Sequence, residues 1–384
     1  MFAAQIFSLT GSGVATVALA LLAYDLAGGG AATILGTIFA LKMLAYVVVS
    51  PLAEAAAVRF PRTSLLVTLD FIRAGLIGVM PFVTATWQVY VLVLLVSCAS
   101  AAFTPAFQAA IPDVLPTVGE YTNALSLSRV AYDLEQLLSP LLAGAALLLI
   151  SFDALFWMNA VAFVVSGMLI ASLGTKLRIP GDAKRSIRRF APVEGVRRYL
   201  STPRLRGLMA LNAAVAAAGA VVIVNTVVYV RGEFDLGEAQ VALALAVSGG
   251  GSIAAALLIS RLLLAVDDRR LMLTGAVLAS ASMAAAVFVD GYAQLLAVWL
   301  SAGFALSLVQ TPAGRLLQRS AEPTDRPQLY AAQFSLSHAC WLIAYPSIGL
   351  LASNNGLPVA AAFATATALA AAVVASMLWR PDQL

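Results

Sequence analysis

One histidine, two cysteines and a charged fraction of only 11% across 384 residues are the scarcities of this chain, and each excludes something. His338 alone cannot build a histidine-rich zinc or copper cluster. Cys98 and Cys340 stand in different apolar stretches with no CxxC or Cys/His spacing, so neither a metal cage nor a structural disulfide is expected. No GKS or GKT occurs, and the glycine runs Gly28–Gly30 and Gly249–Gly251 lack the preceding strand and following lysine of a phosphate loop. They read instead as a tight outer turn and as a point of close helix contact. ATP-driven pumping, a cofactor and a bound metal are all unexpected.

The shortage of charge excludes a soluble protein as well. An ordinary soluble domain carries about 25% charged residues, and a chain that is 61% hydrophobic lacks the polar side chains to cover a water-facing surface. Its unit is the membrane span, about 20 apolar residues long. Twelve such stretches are expected, at roughly 5–27, 31–54, 64–84, 86–110, 123–149, 152–174, 206–230, 238–265, 270–289, 291–313, 328–352 and 357–379. The first has no basic leader and no small-residue cleavage site, and reads as a retained span. The fold class is all-α integral membrane, with no soluble domain left over.

Every second loop is basic. Arg59 and Arg62 follow span two, Arg261, Arg269 and Arg270 follow span eight, and Arg315, Arg319 and Arg326 follow span ten. The connection 175–205 holds nine basic residues against Asp182 and Glu194, a net +7 in a chain whose total is +4, so the rest sums to −3. Positive residues stay on the cytoplasmic side, which predicts that both termini are cytoplasmic. No aromatic interleaving or recognition helix accompanies the basic run, so it reads as a connector against anionic lipid and not as a nucleic-acid site.

The chain also repeats itself. Thr104-Pro105-Ala106 returns as Thr311-Pro312-Ala313 at an offset of 207, Ser126-Leu127-Ser128 as Ser335-Leu336-Ser337 at 209, and Arg62 as Arg270 at 208. The shared register predicts two six-helix bundles, 1–174 and 206–384, joined by the 175–205 loop, with Arg129 and His338 at matching positions. Parallel six-span repeats meeting around a midplane site are transporter architecture.

At this point the residues resemble the major facilitator superfamily, and within it the drug:proton antiporter branch that includes macrolide and siderophore (enterobactin-type) exporters. The resemblance covers nearly the whole chain. It is carried by the 6+6 plan, by Ser50-Pro51-Leu52-Ala53 through Arg59-Phe60-Pro61-Arg62, by Asp70 with Arg73, and by Phe103-Thr104-Pro105-Ala106-Phe107-Gln108 through Ile111-Pro112-Asp113. It implies a central cavity and a cytoplasmic latch, which here would draw on Glu54, Arg59, Arg62, Asp70 and Arg73. The family pattern has an aspartate directly before the arginine that Arg59 resembles, and this chain has Val58.

Ionisable residues at membrane depth are costly and mark pathways. Lys42, Asp133, Glu135 and His338 each fall about ten residues into a span, near the midplane. Arg129 lies four residues before Asp133, on the same face. Two readings stay open: proton coupling, with Lys42 or Arg129 biasing a carboxylate, or a buried ionic network that only holds register. Asp25 falls at the outer end of span one and reads as a solvated rim charge or a further coupling site.

By position, the resemblance implies a substrate cavity lined by Thr10, Thr16, Ser97, Ser100, Thr104, Gln108, Asn212, Asn225, Thr226, Ser307, Gln310 and Thr311, each of which would serve equally as an interhelical hydrogen-bonding group. The leading expectation is a monomeric secondary transporter, not an enzyme, that exports a small amphipathic compound by alternating access in exchange for protons. A uniporter, a metal or metal-chelate exporter, and a non-transporting sensor or scaffold are the alternatives.

Overall fold

Lipid cannot satisfy a backbone amide, so a chain this apolar must close its N–H and C=O groups within helices. The computed structural model describes residues 2–57, 61–114, 142–143, 146–147, 149–172, 191–320 and 326–379, and the regular structure among them is helical. We label the helices α1 (Phe2–Ala27), α2 (Ala31–Ala57), α3 (Arg62–Val79), α4 (Thr86–Val114), α5 (Phe152–Ala171), α6 (Ala191–Ser201), α7 (Pro203–Val227), α8 (Glu238–Ala265), α9 (Asp268–Ala286), α10 (Tyr292–Arg319), α11 (Arg326–Asn355) and α12 (Leu357–Leu378). All but α6 fall on expected spans; the span at 123–149 lies almost wholly outside the described residues. Among the described residues, nine segments are long and apolar enough to cross a membrane, with α1 and α2 running as one of them. Only the 3-10 turn Gly28–Gly30 parts those two helices, and Gly28 takes the left-handed φ of 50° that a side chain would resist.

Two helix starts are capped by a glutamine side chain. Before α4, Gln88 Oε1 accepts from the Thr84 and Ala85 amides at 2.9 and 3.1 Å; before α10, Gln294 Oε1 accepts from the Asp290 amide at 3.1 Å. A glutamine reaching back to cap an orphan donor is half of a capping box, and the two stand 206 residues apart. At α9 the cap is Asp267, which accepts from the Arg270 amide at 2.7 Å.

The chain forms two compact units. The first holds residues 1–27, 41–185 and 238–243, the second 28–40, 186–237 and 244–384. In the first, α3 packs between α4 and α5, and α1 lies along α5. In the second, α7 is central and packs against α9, α10, α11 and α12. Its sequence is rich in Ala, Gly and Val, so neighbours approach closely and nearly every residue is buried. Leu208, Leu211, Val215, Met272, Val309 and Trp379 form the core around it.

Two glycine crossings tighten the second unit. Where α8 meets α10, a Cβ on Gly251 would lie 2.0 Å from the Leu300 carbonyl oxygen and one on Gly303 1.8 Å from that of Ser248; Ser252 Oγ donates to the Gly303 carbonyl at 2.9 Å. This is the close helix contact expected of the Gly249–Gly251 run. The first half of α2 crosses α11 in the same manner. A Cβ on Gly36 would sit 2.5 Å from the Tyr345 oxygen, and one on Gly349 2.3 Å from the Ala32 oxygen. Thr33 donates its amide to Ser353 Oγ (3.1 Å) and its hydroxyl to the Gly349 carbonyl (3.3 Å), so a side chain of α11 satisfies a first-turn donor of α2.

Candidate functional site

The polar residues of the apolar spans form a separate group in each unit. In the first unit α3 carries Asp70 and Arg73 one turn apart, and both are buried, at 0% and 3% exposure. Their side chains pair. Ser166 on α5 donates its hydroxyl to the second Asp70 oxygen at 2.8 Å. The guanidinium lies over two rings, 4.0 Å from the Phe103 centroid on α4 and 4.4 Å from that of Phe163 on α5. Charge, counter-charge, hydroxyl and π-faces thus meet where three helices pack, which is how a buried ion pair survives desolvation.

Asp70 and Arg73, expected with Glu54, Arg59 and Arg62 in a cytoplasmic latch, bond to each other and to α5 and so join α3 to its neighbours. Arg59 lies outside the described residues, as do the side chains of Glu54 and Arg62. Ser166 escaped sequence reasoning because its partner is 96 residues away. Asn159, two turns before it on α5, also escaped: it is 1% exposed and its Oδ1 has no hydrogen-bond partner among the described residues.

Lys42 is half-buried on α2, while Asp133, Glu135 and Arg129 lie outside the described residues. Asp25 is exposed two residues before α1 ends. Of the cavity candidates in this unit, Ser97 is buried and Thr16 and Ser100 are half-buried; the side chains of Thr10, Thr104 and Gln108 lie outside the described set.

The second unit keeps its candidates in place with few internal bonds. Among the described residues, Asn212 on α7, 7% exposed, finds no partner for its Nδ2, and the fully buried Asn225 finds none for either amide atom. Thr226 donates to the Val222 carbonyl and accepts from Trp299 Nε1 at 2.6 Å, so it locks α7 to α10 and is committed to structure. Ser307 and Thr311 share a 3.1 Å hydroxyl contact on α10, with Gln310 and Thr311 exposed. On α11, His338 Nδ1 lies 2.7 Å from the Phe334 carbonyl and its ring packs on Phe334, centroids 3.9 Å apart. A carbonyl only accepts, so the proton of this contact sits on Nδ1.

At the base of the same unit Asp268, 4% exposed, meets Arg315 at 3.4 Å and Arg319 at 3.0 Å, joining α9 to α10. Arg269 donates to the Ser376 carbonyl at 2.9 Å. From sequence these arginines counted only as positive loop charge. The aspartate beside the Arg269-Arg270 pair, at the repeat offset from Pro61-Arg62, was the signal that could have found them. Among the described residues no group of His, Cys, Asp and Glu is arranged to hold a metal, and both cysteines are free thiols.

A family model described as Major Facilitator Superfamily matches residues 1–230 and 209–383. The chain belongs to that superfamily. The Bacillus subtilis protein described as an uncharacterized MFS-type transporter, YfiS, is 28% identical over 127 residues, a stretch covering 33% of this chain and 30% of that relative's length. Solved structures share the fold at low identity. A bacterial homologue of the human lysosomal transporter Spinster, in an inward-facing and occupied conformation, superposes with a TM-score of 0.74 at 12% identity, covering 99% of this chain and 98% of that one. The nucleoside transporter NupG gives 0.74 at 12%, with 98% and 99% covered. A peptide transporter of the POT type gives 0.72 at 13%, with 97% and 93% covered. This major facilitator chain is therefore a multi-pass membrane protein that shares the fold of solved transporters.

Proposed function

We propose that this chain exports a small amphipathic compound, drug-like or siderophore-like, in exchange for protons by alternating access, working as a monomer in the bacterial inner membrane. The observation that carries the reading is the character of the buried polar groups. Among the described residues, the buried charges Asp70 and Arg73 of the first unit pair with each other, while in the second unit the Asn212 Nδ2 and both Asn225 amide atoms find no hydrogen-bond partner. Neutral donors and acceptors in apolar walls suit a ligand with few charges and a large apolar body. Proton coupling falls to Asp133 and Glu135, with Lys42 and Arg129 as the cations whose movement would change carboxylate proton affinity; His338 and Asp25 stand next. The bundles of this reading are 1–174 and 206–384 with 175–205 as their connector, a division along the chain that differs from the compact units at 28–40 and 238–243.

A panel of amphipathic compounds tested for export from a susceptible host, then for flux in proteoliposomes, checks the reading. Accumulation should fall for some of the panel when the chain is expressed; no change across a broad panel would contradict export. Orientation has its own check. Because the basic 175–205 connector should be cytoplasmic, Ser186→Cys in a background without Cys98 and Cys340 should resist impermeant thiol reagents in intact cells and react once the membrane is opened. Labelling from outside would reverse the topology.

A further inference from the structure

Helix α6 is too short and too polar to cross a membrane, yet it is firmly docked. Gly195 and Tyr199 are buried and Val196 packs on the core of the second unit. Burial holds the Tyr199 hydroxyl far above the usual tyrosine range, so it remains a donor, and it hydrogen-bonds Gln333 at the base of α11. The inward face of α6 is therefore spent on the protein.

The outward face has a different composition. Arg197, Arg198, Leu200 and Ser201 are exposed, with Leu200 at 40%. Two residues later the chain enters the α7 span, Pro203–Glu233, where Arg206 is again exposed. Three exposed arginines and an exposed leucine thus stand at the edge of a membrane-spanning segment; Glu194 is the one acidic residue of α6, and none follows it before Glu233. An apolar-in, basic-out helix held rigidly at that level presents guanidinium groups where lipid phosphates lie, and arginine forks match phosphate oxygens.

We infer that the outward face of α6, with Arg206, is a docking surface for anionic phospholipid headgroups. The occupant follows from charge complementarity and position: the surface is cationic and sits at the mouth of a span. The packing of α6 onto α11 and α7 makes occupancy a clamp on the second unit. This inference does not depend on what the chain transports, and its test needs no substrate.

The full chain is purified in a neutral detergent and its thermal midpoint is followed while phosphatidylglycerol or phosphatidylcholine is titrated in. Phosphatidylglycerol should raise the midpoint and phosphatidylcholine should not. The response should weaken between about 50 and 500 mM salt as screening shortens the reach of the arginines. Arg197→Gln/Arg198→Gln/Arg206→Gln should need at least tenfold more phosphatidylglycerol for the same rise, while the matching lysine triple variant keeps most of the response. Equal responses to the two lipids, a response indifferent to salt, an unchanged titration in the glutamine variant, or the same rise from inorganic phosphate alone would each overturn the assignment. Should the glutamine variant fail to fold, the lipid comparison and salt series on the unaltered chain still decide it.

Discussion

Asp70→Ala should lower the thermal midpoint of the purified protein by roughly 5–15 °C, since breaking a buried ion pair costs about 3–5 kcal/mol. The substitution takes the carboxylate from Arg73 and the acceptor from Ser166 together, and leaves a cation between Phe103 and Phe163. Arg73→Ala should be comparably damaging, for it strands the carboxylate. The pair is expected to be structural, which separates it from a coupling site: replacing both members, as Asp70→Leu/Arg73→Met, should recover most of the midpoint, because apolar residues of similar volume often replace buried pairs at little cost. Recovery of stability with transport intact would confirm a clamp. Recovery of stability without transport would give the pair a part in translocation.

The second large effect is expected where α2 crosses α11. Gly36→Val and Gly349→Val each place methyl groups where even one Cβ would lie 2.5 or 2.3 Å from a backbone oxygen of the other helix. Neither oxygen is the end of a flexible side chain, so the helices must part, breaking the Thr33–Ser353 and Thr33–Gly349 bonds and separating the Phe39 and Tyr345 rings, now 5.0 Å apart. A transporter that alternates access has to make and break contacts of this kind in each cycle. Transport should fall at least tenfold in either variant. Thr33→Cys/Ser353→Cys should form a disulfide under oxidation, with transport stopping and returning on reduction. Full transport by the oxidised variant would show that this crossing stays closed throughout the cycle.

Helix positions were legible in the sequence because the signal is local: twenty apolar residues cannot be much else, and Gly28–Gly30 or Asp267-Asp268 mark the breaks in composition alone. The recurring strings were visible for the same reason, and the glutamine caps at Gln88 and Gln294 stand at a similar offset. Pairing across helices was not. Ser166 and Asn159 look like any polar residue in an apolar run until α5 is laid against α3, and the place of Asp70 and Arg73 at the opening of span three did not say which helices they would join. Thr226 was left open between a cavity group and an interhelical bridge, and its hydroxyl accepts from Trp299, 73 positions away. Lipid-exposed and protein-facing positions use the same residue types, so composition gives a span without giving its face.

Proton exchange is the central claim, and substrate-induced proton movement tests it most directly. Everted membrane vesicles energised to an acidic interior and reporting through a pH-sensitive dye should lose part of their gradient when an exported amphipathic compound is added, and should not do so in vesicles without the chain. Of Asp133→Asn and Glu135→Gln, at least one should abolish that response while the protein remains inserted at normal level. If the exported compound crosses equally fast with the gradient collapsed, and both variants behave as the unaltered chain does, the carrier is a uniporter and proton coupling is wrong.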